Sequence, residues 1–474
     1  MGLVSQRTAT LYPTNCGYWV YNTSDMMGAS GSSMEVLQLS QLAQFISNGS
    51  SSALAWIDAC YGSDMKSSHC DTLSNGRILW DSKRANCPFK GQCVGGDDGT
   101  AFTMTTGDIT VRDFGINTKS KLTLKRESIC APIVMEPYRV EVTETKPVGG
   151  YAHLTFNGQN ATQIPRSDSA SPYMVSAWYP QPGMVVHPNL QAQTGNVSII
   201  YISRNDLIHL HRTADPIFSA TQEIPVPLLN ITGYLPKWEE RLGSIACVEK
   251  LQLCNDFGRG RECSPWTGVV RGENGEVDLG EFYEKCGSED KGMIGLLFPR
   301  KLAGLTVGHT ASGAGSNIAA ARSLLMAPGP GGLWEMQTAD GEEQWKAEVS
   351  QWFDIVLASM QLAVLYFPTS PPFLDTSLLV NEMLPESRFI CTNVLVNTTK
   401  HTSIRYLGVV TIVGWSLLAT GMSWWIRRRW EHWSPDLRQT AGAPSNAQAP
   451  NAIEAAQVAD ETGMEGALPL RPLP

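Results

Sequence analysis

The sequence lacks the short motifs that identify many enzyme active sites. It contains no G-x-S-x-G nucleophile elbow and no H-E-x-x-H zinc motif. Gly313–Ser316 precedes a predicted helix, but it has neither the G-K-[ST] ending of a phosphate loop nor a preceding βαβ unit. The pairs Cys60/Cys70 and Cys87/Cys93 are spaced too widely for zinc knuckles. The sequence therefore predicts no catalytic, cofactor-binding or metal-ligating residue.

Basic charge is scarce as well. The chain has 36 Lys and Arg residues against 45 Asp and Glu residues, which gives a net charge of −9 and an isoelectric point near 5.5. Proteins that bind nucleic acid present a basic surface to the phosphates. The composition therefore excludes nucleic acid as an expected partner.

The N-terminus lacks an apolar segment. The first residues, MGLVSQRTATLYPTN, contain no apolar core of a secretory signal, and Gln6 stands where N-myristoylation requires Ser or Thr. A C-terminal helix with a short tail does not export the roughly 400 residues ahead of it. We therefore expect an upstream signal or membrane segment that this chain lacks. A cytosolic N-terminal part is the alternative.

One long apolar run is present near the C-terminus. Tyr406–Ile426 is an uncharged stretch of 21 residues. As a helix with about 1.5 Å rise per residue it would cross the roughly 30 Å hydrocarbon core of a bilayer. Three arginines close the run, which predicts a cytoplasmic C-terminal side. A buried helix of a soluble core is the alternative. The predicted anchor residues are Tyr406, Trp415, Ile426, Arg427, Arg428 and Arg429.

All eleven cysteines precede this run, as expected for a part of the chain in an oxidising compartment. Two even clusters predict three and two local disulfides, although spacing does not determine connectivity. Cys391 leaves two alternatives open: an unpaired or intermolecular thiol, or a bond to Cys16 or another cysteine. The clusters comprise Cys16, Cys60, Cys70, Cys87, Cys93 and Cys130, and then Cys247, Cys254, Cys263 and Cys286.

Glycosylation motifs share this distribution. Six N-x-[ST] sequons precede the apolar run, and each is a candidate N-glycosylation site. Together with the cysteines they predict an extracytoplasmic N-terminal part and a cytoplasmic tail, in the cell membrane or a membrane of the secretory pathway. The sequon asparagines are Asn22, Asn48, Asn160, Asn196, Asn230 and Asn397.

The patterning predicts an α+β fold: a β-rich, disulfide-bonded ectodomain with a few helices, one C-terminal transmembrane helix and a disordered tail. Val197–Ser203 is β-branched and is expected to form a strand. Glu342–Phe367 has a helical apolar stripe interrupted by Asp354 and Gln361, which predicts a packing helix rather than a second span. The predicted parts are 1–135 (cysteine-rich), 136–240 (β-rich), 241–403 (second cysteine cluster and amphipathic helix), 406–426 (transmembrane helix) and 427–474 (disordered tail).

Two segments resemble metal sites superficially. His209 and His211 lie two apart in a predicted strand and would share one face, but a third ligand at a convincing spacing is missing. Val270–Glu281 resembles the second half of an EF-hand loop, yet its first and third positions cannot supply carboxylates. We therefore expect surface or interstrand histidines and a solvated acidic turn.

Several segments taken together resemble a family of uncharacterised membrane proteins from filamentous ascomycete fungi. The resemblance covers most of residues 16–426. It implies a cysteine-rich ectodomain ahead of a final membrane helix, in proteins that begin with additional membrane helices, and it implies no activity. The matching segments are Cys16–Trp19, Trp56 with Cys60-Tyr61, Cys87–Phe89 with Cys93, Asp113–Asn117, Cys130–Pro132, Ala246–Glu249 with Cys254-Asn255, Trp345–Gln361, and Cys391 before the last helix.

The expected function is therefore that of a non-enzymatic surface protein that binds, senses or contacts the cell wall. A membrane-tethered extracellular hydrolase is the alternative, and a pocket gathering Asp, Glu or His side chains would favour it. The membrane is the expected partner, and the extracellular ligand is unknown. Small residues four apart, Ser416/Thr420 and Ala419/Ser423, or the thiol of Cys391, are candidate contacts of a homodimer.

Overall fold

The computed structural model of this chain describes residues 8–10, 16–21, 52–61, 70, 73, 76–134, 151–156, 159–165, 173–178, 188–204, 208–227, 230–237, 242–258, 260–269, 279–297, 306–308, 310–311, 326–328, 334–336, 343–368, 379–382, 385–397 and 406–433. The chain divides into two compact units. The larger unit is Gln6–Ser403, and the smaller unit is Met1–Ser5 with Ile404–Pro474. The apolar spacing of Met34–Ile46 predicts a helix and the alternation of Tyr138–Thr143 predicts a strand, and both segments lie outside the described residues.

The strands all belong to the larger unit. They are β1 (Thr8–Thr10), β2 (Tyr18–Tyr21), β3 (Trp80–Ala85), β4 (Ala101–Thr106), β5 (Ile109–Thr110), β6 (Thr123–Pro132), β7 (Tyr151–Phe156), β8 (Gln159–Pro165), β9 (Tyr173–Trp178), β10 (Asn196–Arg204), β11 (Gln222–Val226), β12 (Ile231–Leu235), β13 (Leu242–Asp256), β14 (Arg261–Cys263), β15 (Thr267–Gly268), β16 (Met326–Pro328), β17 (Trp334–Met336), β18 (Leu379–Glu382) and β19 (Leu395–Asn397).

The described helices of the larger unit have ten residues or fewer, except for one, which has 23. They are α1 (52–60), α2 (Glu281–Lys285), α3 (Ser288–Leu297), α4 (helical at 307–308 and 310–311), α5 (Gln344–Tyr366) and α6 (Ile390–Asn393). Single 3₁₀ turns occur at Pro188–Leu190 and Pro385–Ser387. The smaller unit contributes α7 (Tyr406–Trp433). A β-rich α+β fold is therefore confirmed.

An antiparallel sheet forms the centre of the larger unit. Its strands lie in the order β3-β4-β6-β13-β10-β9; in addition, β5 pairs with β6, and β14 and β15 pair with β13. The predicted strand at Val197–Ser203 is confirmed as β10. β6, from the predicted first part of the chain, lies beside β13, from the predicted third part, over ten residue pairs from Ile245↔Pro132 to Cys254↔Thr123. The predicted parts therefore share one sheet.

The two faces of the sheet bury different side chains, because successive residues of a strand point to opposite sides. Along β6, Leu124, Arg126, Ser128 and Cys130 are all buried on the face that carries the main hydrophobic core. The opposite face packs a smaller cluster that includes Phe89, Leu190 and Tyr201. Two charged side chains, Arg126 on β6 and Glu249 on β13, are also buried on the face that carries the main hydrophobic core.

The long helix α5 covers the main face of the sheet. Its buried side chains include Trp345, Val349, Trp352, Phe353 and Val356. Phe353 meets the ring of Trp80 edge-on with the ring centroids 5.3 Å apart, and Trp345 meets Phe102 in the same way at 6.2 Å. The prediction of a packing helix at this position is confirmed.

Strands from the two ends of the larger unit pair with each other. β1 pairs with β19, where Thr8 lies opposite Asn397, and β2 pairs with β18. A disulfide between Cys16 and Cys391 lies between these two ladders in sequence. The start and the end of the larger unit are therefore joined by backbone hydrogen bonds and by a covalent bond.

One helix within the described part of the chain is long and apolar enough to cross a membrane, and it is α5, most of whose side chains are buried. The predicted run Tyr406–Ile426 does form a helix, but α7 continues through Arg427 to Trp433. The expectation that the disordered tail begins at residue 427 is therefore wrong for its first seven residues. Two arginine–tryptophan pairs four residues apart stabilise these added turns. Residues 434–474 lie outside the described residues.

Candidate functional site

An ion pair lies inside the core of the larger unit, between neighbouring strands. Arg126 on β6 and Glu249 on β13 are joined by a 2.9 Å contact between Nη2 and Oε2, and their side chains are 3% and 0% exposed. The strand register places Glu249 opposite Ser128, one position along the buried face from Arg126. Burial of two charges is costly unless the pair is well bonded.

The carboxylate of Glu249 has three further donor contacts. Ser198 Oγ donates to Oε1 at 2.9 Å, and the backbone N–H of Val307 donates to both oxygens at 2.9 Å. Gly308 makes the approach of α4 possible, since a Cβ there would lie 2.7 Å from the Cβ of Ser198. Burial raises the pKa of Glu249, and Arg126 opposes this shift. Burial lowers the pKa of Arg126, and Glu249 opposes it. The arrangement binds α4 to the sheet.

A second buried carboxylate holds the start of α5. Asp215 Oδ1 accepts the backbone N–H groups of Ile217 and Phe218 at 2.8 Å, and Oδ2 accepts the N–H of Trp345 at 3.0 Å. A carboxylate at a helix N-terminus satisfies orphan N–H groups and complements the helix dipole. Burial raises the pKa of Asp215 to about 6 despite these bonds. Asp215 therefore acts as a cap supplied by a distant segment of the chain.

A group of charged and aromatic side chains lies where α1, β3 and α5 come together, with Arg77, Trp80 and Asp354 half-buried and Tyr61 buried beneath them. We call Tyr61, Arg77, Trp80 and Asp354 the surface cluster. Trp80 Nε1 donates to Asp354 Oδ1 at 2.6 Å. The guanidinium of Arg77 lies 5.4 Å from the centroid of the Tyr61 ring and donates from Nη1 to the Tyr61 carbonyl at 3.3 Å. Leu79, beside the cluster, is 74% exposed.

The surface cluster contains one carboxyl group, that of Asp354, whose environment is set by its neighbours. Burial raises the pKa of Asp354, while Trp80 and Arg77 oppose that shift. Burial also raises the pKa of Tyr61, whose hydroxyl donates to Gln361 at 3.3 Å. Glycosidic hydrolysis needs two carboxyl groups flanking the bond. The cluster contributes one, already bonded to Trp80, beside an exposed leucine.

The C-terminal end of α7 is a second candidate, in the smaller unit. Arg428 lies over the ring of Trp424 with 4.7 Å to the centroid, and Arg429 lies over Trp425 at 4.8 Å. The predicted anchor residues Trp415 and Ile426 are 70% and 49% exposed. The hydroxyls of Ser416 and Thr420 donate to the carbonyls of Ile412 and Ser416 within the helix. The helix thus combines exposed apolar side chains with an aromatic and basic end.

Ten of the cysteines are paired. The expected three and two local disulfides are wrong, because Cys130 and Cys247 belong to different clusters and are bonded across β6 and β13, where they lie directly opposite. Spacing along the chain could not reveal this strand register. Cys286 is buried and unpaired, and Cys391 is bonded to Cys16. The other disulfides are Cys60–Cys70, Cys87–Cys93 and Cys254–Cys263.

The two sequons with described side chains have different surroundings. Asn230 is exposed at the turn between β11 and β12, with φ of 52°, and Thr232 of its sequon is also exposed. Asn196 is half-buried against Gly268, and Ser198 of its sequon is 0% exposed. Asn160 and Asn397 lie in β8 and β19, whereas Asn22 and Asn48 lie outside the described residues.

The two histidines that the sequence placed on one face differ in exposure. His209 is 4% exposed and forms a β-bridge with Tyr234, whereas His211 is exposed. In the described ranges, no group of three His, Cys, Asp or Glu residues is placed to hold a metal ion. Residues 270–278 of the EF-hand-like segment and the loop Gly313–Ser316 lie outside the described residues.

The sequence analysis did not identify Arg126, Glu249, Asp215 or Asp354 as candidate site residues, although the sequence contains a signal for two of them. Arg126 stands in strict alternation with Leu124, Ser128 and Cys130, which predicts that it points into the core. Asp354 interrupts an apolar helical stripe and marks the surface cluster in the same way. Glu249 and Asp215 have no comparable signal, since each depends on a distant segment.

Comparisons with protein-family models, curated proteins and solved structures found no match. The resemblance to fungal membrane proteins therefore stays an expectation.

Proposed function

We propose that the chain is a membrane-anchored surface protein whose larger unit is extracytoplasmic and binds an external ligand, with α7 as the anchor. The observation that carries this proposal is the distribution of chemistry along the chain. Five disulfides lie in the larger unit, ahead of a helix whose apolar side chains are exposed. Disulfides persist in oxidising compartments.

The choice of α7 over α5 as the anchor follows from burial. The apolar side chains of α5 pack in the core of the larger unit, so leaving that core for a bilayer would destroy the fold. Along α7, large apolar side chains from Val410 to Trp430 are 49–75% exposed. Exposed apolar surface of this extent is unfavourable in water, and its transfer into the hydrocarbon core of a bilayer removes that cost.

We favour a binding role over hydrolysis because the two fully buried carboxylates, Asp215 and Glu249, are engaged in hydrogen bonds within the fold. Asp215 accepts backbone N–H groups at the start of α5, and Glu249 is occupied by Arg126, Ser198 and Val307. These contacts give Asp215 and Glu249 a structural role. The surface cluster, with half-exposed Trp80 beside exposed Leu79, is the candidate contact surface for a ligand.

Glycosidase digestion of the protein immunoprecipitated from its source cells tests the exported location. We expect removal of N-glycans to increase electrophoretic mobility, because Asn230 is exposed at a turn. In a tagged copy expressed in the same cells, N230Q should remove one step of the shift. The matched variant N196Q should leave the shift unchanged, since Asn196 packs against Gly268. An absence of any shift in the native protein would refute the proposed location.

A further inference from the structure

We propose that the end of α7 is a recognition surface for anionic phospholipids, formed by Trp424, Trp425, Arg428 and Arg429. This inference rests on the proposed anchoring role of α7, and it adds the chemistry of the lipid that the anchor selects.

The first observation is the length of the helix. α7 has 28 residues, seven more than the uncharged run Tyr406–Ile426. At about 1.5 Å per residue the apolar run alone matches the hydrocarbon core. The seven residues that follow, Arg427–Trp433, therefore extend the same rigid helix into the depth of the lipid headgroups. Their position is set by the helix rather than by a flexible tail.

The second observation is how the two guanidinium groups are held. Arg428 and Arg429 each lie over the ring of the tryptophan four residues earlier, at 4.7 Å and 4.8 Å from the ring centroid. Stacking on a ring face leaves the N–H donors at the edge of the guanidinium plane directed outward. Such donors match the oxygens of a phosphate in bidentate geometry. Because the two pairs are one residue apart in sequence, they lie about 100° apart around the helix axis at nearly the same depth, so each presents its own guanidinium to the lipid headgroups.

The third observation is charge. Arg427–Trp433 contains three arginines and Glu431 in a chain of net charge −9. A positive segment on an acidic protein complements an anionic headgroup. A zwitterionic lipid fits less well, since its choline would seek an aromatic face. One face of each ring, Trp424 and Trp425, is already covered by a guanidinium group.

The fourth observation distinguishes a lipid from a free phosphate. Leu418, Met422 and Ile426 lie immediately ahead of the arginines and are 64%, 65% and 49% exposed. A ligand that fills the whole surface has a phosphate beside the guanidinium groups and an acyl chain along the apolar residues. A phospholipid of the adjoining leaflet has both parts.

Native mass spectrometry of the full-length protein in detergent tests this inference. The protein is titrated with palmitoyl-oleoyl phosphatidylserine, with the matching phosphatidylcholine, and with glycerophosphoserine, the free headgroup. We expect the wild-type chain to bind phosphatidylserine at least tenfold more tightly than phosphatidylcholine and to bind the free headgroup negligibly. One basic residue near an anionic surface contributes about fivefold, so two contribute about 25-fold.

Two variants complete the test. R428Q/R429Q should bring the ratio of the two lipid affinities to within about twofold while leaving phosphatidylcholine binding unchanged. The matched control K83Q/K90Q removes two exposed charges from the larger unit and should keep the wild-type ratio. A wild-type ratio near one, an unchanged ratio in R428Q/R429Q, or equally tight binding of the free headgroup would overturn the inference. Extraction of the native protein from membranes by alkaline carbonate would instead refute the anchor itself.

Discussion

The buried ion pair gives the sharpest test of the fold. Replacing Arg126 by Met keeps most of the side-chain volume but leaves the carboxylate of Glu249 at 0% exposure with Ser198 and Val307 as its remaining donors. Breaking one side of a buried pair costs about 3–5 kcal/mol, because the remaining charge stays desolvated. We expect R126M to lower the free energy of unfolding by that amount.

A second substitution should then restore stability. In R126M/E249Q the glutamine carbonyl can still accept from Ser198 Oγ and the Val307 N–H, and no charge remains buried. We expect the double variant to be more stable than R126M by at least about 1 kcal/mol at pH 7. Such a rescue distinguishes an electrostatic penalty from a packing defect, which a second change in the core would worsen.

The dependence on pH has a definite sign. Burial raises the pKa of Glu249 in the folded state, so its ionisation opposes folding and the associated stability is lost as pH rises. Removing Arg126 raises that pKa further. The deficit of R126M should therefore shrink as the pH is lowered from 7 to 5, by at most about 1.4 kcal/mol per pH unit.

Guanidinium chloride unfolding of the full-length protein in detergent, followed by tryptophan fluorescence, measures these differences, because Trp345 and Trp352 are buried on α5. The control is R84M, which removes an exposed arginine paired with Glu343 at 2.6 Å and should cost at most about 1 kcal/mol. An R126M deficit no larger than that of R84M, or a double variant less stable than R126M, would refute the reasoning.

Three further predictions follow from the buried groups and the disulfides. D215A should lower the free energy of unfolding by about 2–4 kcal/mol, because the N–H groups of Ile217, Phe218 and Trp345 lose their acceptor. Because burial raises the pKa of Asp215 to about 6 in the folded state, its ionisation opposes folding, and the wild-type protein loses this part of its stability as pH rises from about 4 to about 6. The difference in unfolding free energy between wild type and D215A should therefore become smaller over that range, and a difference that stays constant with pH would contradict this. Native protein should not react with Ellman's reagent, since burial raises the pKa of the Cys286 thiol to about 12, and one thiol should react after unfolding without reductant. Non-reducing electrophoresis should give a monomer, because the partner of Cys391 is Cys16; a dimer band that vanishes in C391S would show the reverse.

The fold was predictable where local pattern decides structure. The β-branched run Val197–Ser203 and the apolar stripe of Glu342–Phe367 appear as β10 and α5 with nearly the predicted bounds. The end of α7 was placed too early, because charge alone marked it at Arg427. The pairing of arginines with tryptophans one turn earlier outweighs that signal.

The candidate sites were less predictable, because they depend on contacts between distant segments. Cys130 meets Cys247 only through the register of β6 and β13. Asp215 reaches the start of α5 across 130 residues of sequence. No spacing rule connects such positions. A charge on an apolar strand face, as at Arg126, is the local sign that was available.

Protease treatment of sealed microsomes from the source cells tests the central claim most directly. If α7 spans the membrane with its arginine end in the cytoplasm, protease added outside should remove only the C-terminal tail. A disulfide-bonded fragment slightly smaller than the full chain should remain protected, and its mobility should increase with glycosidase once detergent opens the vesicles. Digestion of the larger unit in intact vesicles would contradict the account.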